Sequence, residues 1–133
     1  LSSSSAASDV YKRQGPNQFI RLAQAKKEIS LFGKGEEKRD HIHVNDVGEA
    51  IYFLIKKKHT GTVNLVSGKV SSFFKIAKKI KNLYKIKLKY LKRRGPMPHN
   101  GYRAFDNSLL KRIVPNITNL SEWIDLKEKY KKK

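Results

Sequence analysis

The passage Gly33–Ile55, GKGEEKRDHIHVNDVGEAIYFLI, constrains this chain most, because it sets a polar glycine turn, a strand and a helix back to back. From Lys38 to Val44 the residues alternate, Arg39 outward and Asp40 inward, with β-branched Ile42 and Val44 on one face, which predicts a strand. Asn45 is placed to cap a helix carrying Asp46 and Glu49 in its first turn. Val47, Ala50, Ile51, Leu54 and Ile55 follow at helical spacing. Arg39 stands at the start of the strand, beside a turn whose glycines let a ligand approach the backbone.

The flanks repeat the mixture. Asn17–Glu28 predicts a helix with Phe19, Ile20, Leu22 and Ala23 toward a core, and Ile29–Phe32 a short strand into Gly33. His59-Thr60-Gly61 stops the central helix, and the β-branched run Thr62–Val66 predicts another strand. Ser71 is placed to cap a helix with Phe73, Ile76, Ala77, Ile80, Leu83 and Tyr84 on its apolar face. Ile86–Leu91 alternates Ile86, Leu88 and Tyr90 with Lys85, Lys87 and Lys89, a strand pattern. Lys92–Phe105, dense in Gly, Pro and Asn, predicts a loop. Asp106 then caps a short helix, Ser108–Ile113, ended by Pro115. Asn119 and Glu122 resemble a capping box for a last helix, in which Trp123 packs inward. The class is α/β.

Residues 1–14, LSSSSAASDVYKRQ, differ in character from the rest of the chain. They lack the apolar stretch of a signal peptide and back-translate readily to the end of a transposon-type sequencing adapter. The expectation is that 1–14 is adapter read-through with no fold of its own, that 15–130 is one structural portion, and that 131–133 is a basic tail that frays.

The chain has 133 residues, no cysteine and a formal charge of +19. A disulfide framework and thiolate chemistry are excluded, and no apolar run approaches the length of a membrane span. A cytoplasmic protein is the default expectation. The charge raises an alternative, a small autonomous basic protein that binds nucleic acid. Against it, 23 of the 30 basic residues are lysine, spread over many elements as AT-rich coding produces. The aromatic residues do not interleave with the lysines as a stacking platform requires. Non-specific adhesion at low salt is expected, specific nucleic-acid binding is not.

FGKGEEKRDHIHVNDVGEAI resembles the passage G-x-G-x-x-x-R-D-[YFH]-[IV]-[YH]-V-x-D-[VL]-A of the extended short-chain dehydrogenase/reductases, the NAD(P)-dependent nucleotide-sugar epimerases and dehydratases. Other pieces resemble that family in the same order. Gly15-Pro16-Asn17-Gln18 is similar to the end of its N-x-Y-G-P-x-Q passage, Thr62–Gly68 to its Y-N-V-G-S-G strand, and Ser71–Ile80 to its S-F-x-E-I-A-x-x-I helix. Arg94–Asp106 with Ser108–Lys111 is similar to its R-x-G-D…D-x-S-K ending.

The resemblance implies a C-terminal, substrate-binding portion of such an enzyme, with the Rossmann N-terminal half largely missing. It implies NAD or NADP in the full-length parent, none bound by this fragment, and a nucleotide-diphosphate sugar as the partner. Homodimers are frequent in the family. The catalytic Tyr and Lys are expected upstream, so the fragment alone is expected to be inactive, with no catalytic residue of its own. A family relative that keeps the fold only to bind is the third class.

A diphosphate calls for planar, permanently charged donors from opposite sides. By resemblance Arg39 supplies one, and Arg94 matches the R of R-x-G-D. Pro96 stands where the family often has Asp, however, and RAFD brings Arg103 and Asp106 into the same region, so Arg94 and Arg103 are both candidates beside Asp106. The bland roles are an ion pair of Arg39 with Asp40 or Asp46, and a surface position for Arg103.

Tyr52-x-x-x-Lys56 fits the superfamily's catalytic spacing, but lies downstream of where that pair belongs, and no serine precedes it suitably. His41 and His43 share a strand face without a third metal ligand near in sequence. Gly33-x-Gly35 lacks the third glycine and the strand-turn-helix order of a dinucleotide loop. His99, in the loop, is within reach of a substrate bound there.

Overall fold

The computed structural model describes residues 14–117 and 122–125. The chain forms two compact units, each built from two separate stretches. One draws on Leu1–Glu36 and Phe73–Pro96, the other on Glu37–Ser72 and Met97–Lys133.

In the first unit, helix α1 (Pro16–Gln24) begins with proline at its first turn, where the missing N–H costs nothing. It buries Phe19 and Ala23. Strand β1 (Ile29–Phe32) pairs in parallel with β4 (Leu88–Leu91), Ile29 opposite Leu88 and Phe32 opposite Leu91. Helix α3 (Phe73–Tyr84) turns Phe73, Ile76, Ala77 and Ile80 inward, and its lysines lie on the other side. Phe19 and Phe73 meet edge to face at 6.2 Å between centroids, a favoured aromatic geometry. Ile29, Leu31 and Ile76 complete a fully buried centre.

In the second unit, β2 (Lys38–Asp40) is the middle strand of three. It runs antiparallel to β3 (Val70–Ser72) and parallel to β5 (Tyr102–Arg103). Helix α2 (Val44–Lys56) and the short α4 (Ser108–Ile113) share a core of Ala50, Leu110, Ile113 and Val114, against which Phe53, Leu54, Val63 and Leu65 pack. Residues 122–125 are helical.

Several expectations need correction. Lys38–Val44 is a strand only to Asp40, with Ile42 in an isolated bridge, and Val44 is already helical and exposed. The α2 cap is therefore His43, whose Nδ1 accepts from the Asn45 N–H at 3.1 Å, rather than Asn45. Arg39 does not point outward, since its side chain is only 17% exposed. Ile51 and Ile55, expected inside, are exposed.

Thr62–Val66 makes no strand: both edges of β2 are taken by β3 and β5, and Val63 and Leu65 go into the helix core instead. Ser71 lies within β3 and does not cap α3. The first helix stops at Gln24 rather than Glu28, with Lys26 left-handed just beyond it. Ile86 is buried but precedes β4, and Tyr90 is exposed. Part of the predicted loop is strand β5. Residues 1–13, the Asn119 cap and the tail 131–133 lie outside the described residues.

Candidate functional site

The second unit brings two of the candidate arginines together. β2 and β5 pair in parallel with Arg39 opposite Arg103, so the two side chains leave the sheet on the same face. Arg39 Nη2 donates to Glu37 Oε2 at 2.8 Å and to the Pro98 carbonyl at 3.3 Å, and Nη1 donates to the Lys38 carbonyl at 3.3 Å. The Glu37 side chain is 8% exposed, so the sheet buries a carboxylate that this guanidinium neutralises. Neither Asp40 nor Asp46 is Arg39's partner. Asp40 turns to the other neighbour, accepting from Ser67 N at 2.9 Å, Ser67 Oγ at 2.8 Å and Gly68 N at 2.7 Å.

Arg103 is exposed. Its Nη1 lies 3.2 Å from His99 Nε2, and its guanidinium carbon lies 5.2 Å from the centre of the Phe105 ring, within cation–π range. The turn between the two arginines, Pro98–Gly101, is a one-turn 3₁₀ segment with His99 (φ 51°, ψ 37°) and Asn100 (φ 52°, ψ 28°) in the left-handed region. Gly101 follows at φ 75°.

Asp106 is exposed, and its Oδ1 accepts from Ser108 N at 3.1 Å and Ser108 Oγ at 2.5 Å. The Ser108 hydroxyl is the main reason its carboxyl is held below the usual range. That is the geometry of a turn leading into α4. Arg94 belongs to the first unit, exposed on the segment after β4. In the sequence Arg94 and Arg103 were equal candidates. What pairs Arg103 with Arg39 is strand register, which no local pattern announces. Glu37 and the Pro98 carbonyl were likewise not foreseen; a glutamate two residues from a strand arginine was the available signal.

The turn Gly33-Lys34-Gly35 does not have the strand-turn-helix form of the dinucleotide loop that the resemblance implies. Gly33-Lys34-Gly35 joins strand to strand, and where the first turn of α3 meets it the Phe74 N–H is already taken by the Gly35 carbonyl at 2.8 Å. The Glu36 carboxylate lies beside Gly33, accepting from Lys34 N at 2.8 Å, with Oε1 2.9 Å from where an added Cβ would stand. A carboxylate in that place repels a pyrophosphate. His41 and His43 do not belong to a metal-ligating cluster, since no group of three or more such side chains occurs among the described residues. The ring of His43 stacks on Trp123 at 3.8 Å. No described helix is long and apolar enough to cross a membrane.

Residues 11–66 match the model of the NAD dependent epimerase/dehydratase family. No curated protein matches the chain. Among solved structures, the chain is similar to UDP-N-acetylglucosamine 4-epimerase from Methanobrevibacter ruminantium M1 in complex with UDP-N-acetylmuramic acid, at 21% identity and a TM-score of 0.71, covering 88% of this chain and 38% of that one. It is similar to UDP-glucose 4-epimerase from Thermotoga maritima with UDP-glucose, at 22% identity and TM-score 0.66, covering 88% and 38%. It is also similar to dTDP-glucose 4,6-dehydratase from Bacillus anthracis in complex with NAD, at 19% identity and TM-score 0.64, covering 90% and 40%. The α/β fold is that of the extended short-chain dehydrogenase/reductase epimerases and dehydratases, over about 38% of their length.

Proposed function

We propose, for a chain with the fold of the NAD-dependent epimerases and dehydratases over 38% of the first neighbour's length, that it supplies the part of such an enzyme that grips the diphosphate of a nucleotide sugar. The observation that carries this is the Arg39–Arg103 register pair. Two guanidiniums on one face of a parallel strand pair offer planar forks to adjacent phosphate oxygens, in the geometry arginine matches best. Glu37 and the Pro98 carbonyl occupy Nη2 of Arg39. They leave Nε and the second Nη1 hydrogen without a partner among the described residues.

Hydride transfer with NAD or NADP, and the proton transfers at the sugar, are assigned to the remainder of the parent enzyme. Asp106 keeps a role at the substrate in this reading, by setting the approach to α4. The nucleotide sugars in complexes of the solved neighbours support the choice of ligand.

Calorimetric titration of the 133-residue chain with UDP-glucose tests the proposal. Binding that falls at least about tenfold in both Arg39→Ala and Arg103→Ala supports it, a loss consistent with removing a charge-assisted hydrogen bond. Binding that neither substitution changes overturns it.

A further inference from the structure

The turn Pro98–Gly101 has a distinctive backbone for a connection between a loop and a two-residue strand. Three consecutive residues, His99, Asn100 and Gly101, have positive φ, and two of them bear side chains. A side chain in the left-handed region is disfavoured, less so for His and Asn than for most residues, and two in succession persist where the surroundings hold them. The surroundings are specific here. The first residue of the turn places its carbonyl 3.3 Å from Arg39 Nη2, and the second places its ring nitrogen 3.2 Å from Arg103 Nη1. Gly101 continues the run at φ 75°, a conformation that disfavours a side chain. One turn thus touches both guanidiniums.

We infer that His99 is a positioning residue that holds the Arg103 guanidinium beside Arg39 for anion binding. Chemistry fixes the roles in the contact. A guanidinium only donates, so in this contact His99 Nε2 is the acceptor, which calls for the ring proton on Nδ1. Arg103 needs such a holder more than Arg39 does, because it is exposed and β5 is only two residues long. A long side chain on a short edge strand otherwise spreads over many rotamers, and ordering it on binding weakens affinity. With His99 on one side and the Phe105 ring on another, the fork is pre-organised. This inference rests on the diphosphate reading of the Arg39–Arg103 pair and adds to it the residue that sets the geometry.

The test is a double-mutant cycle with UDP-glucose as the probe, supported by a ligand-free measurement. His99→Gly removes the ring and relieves the left-handed strain, so loss of folding does not account for its effect. His99→Gly should weaken UDP-glucose binding about 5- to 20-fold, and His99→Gln, whose amide oxygen accepts near the position of Nε2, should recover most of it. In the Arg103→Ala background, His99→Gly should change affinity less than about twofold, because its effect passes through Arg103. An equal loss in both backgrounds, or no loss in the wild-type background, overturns the inference while the arginine pair stands.

If UDP-glucose fails to bind the unsubstituted chain, the diphosphate reading falls. Ring-nitrogen NMR of the ligand-free chain at neutral pH then decides the contact: the Nδ1–H form of His99 supports the clamp, and the Nε2–H form refutes it.

Discussion

Arg39 and Arg103 stand opposite each other in a parallel strand pair, 64 positions apart in the chain, and a single turn contacts both side chains. Like charges this near are held together at a cost, which Glu37 offsets through its ion pair with Arg39 at 2.8 Å. An anion bound between them, as proposed above, would lower that cost further.

The Arg39–Glu37 pair predicts that Arg39→Ala destabilises the chain as well as weakening anion binding. Removing Arg39 takes the ion pair away from a buried carboxylate, expected to cost up to about 3 kcal/mol. Arg39→Ala combined with Glu37→Gln should recover much of that stability without restoring affinity. Urea unfolding followed by tryptophan fluorescence separates the two effects. Equal stability of the single and double variants would show that Glu37 is solvated.

Asp40 predicts a second stability effect, unconnected to the ligand. Its carboxylate accepts from two backbone N–H groups and a hydroxyl of the Ser67-Gly68 turn. Asp40→Ala should cost about 2–3 kcal/mol. Gly68→Ala should be at least as severe, because φ is 77° and an added Cβ would collide with the Asn107 amide that donates to the Ser67 carbonyl. Thermal unfolding of both variants checks this; a Gly68→Ala protein melting with the wild type would refute the crowding.

His41 predicts a pH dependence. Burial holds its imidazole below the ordinary value of 6.5, with Asp40 opposing and Arg39 reinforcing the shift. The unfolded chain therefore takes up the proton first as pH falls. This contribution to stability is complete above about pH 6.5 and is lost as pH drops through the unfolded value toward the lower folded one. His41→Gln should flatten the stability profile as the pH falls below about 6.5. An unchanged slope would assign the pH dependence to another group.

The turn Gly33-Lys34-Gly35 predicts that NAD and NADP bind the chain far more weakly than UDP-glucose does. Calorimetry with each dinucleotide should give no saturation in the micromolar range. Micromolar binding abolished by Gly33→Ala would make that turn a dinucleotide site despite the Glu36 carboxylate.

The family match and the α/β class were both legible in the sequence, because each rests on local pattern. β1 was read at its observed limits, since Ile29 and Leu31 alternate with half-buried neighbours and Gly33 ends the run. The inward face of α3 was read from the spacing of Phe73, Ile76, Ala77 and Ile80, which needs only the helical period.

The tertiary structure decided what depends on competition between distant segments. Thr62–Val66 has strand propensity, but β2 has two edges and β3 and β5 fill both, so its apolar residues serve a helix core. Asn45 is the better capping residue by type, yet strand β2 and its following bridge set where the helix starts, and the cap falls to His43. The arginines themselves were visible as residue types suited to phosphate. Which of Arg94 and Arg103 faces Arg39 was fixed only by the register of a two-residue strand, because hydrogen-bond pairing between strands carries no signature in either strand alone.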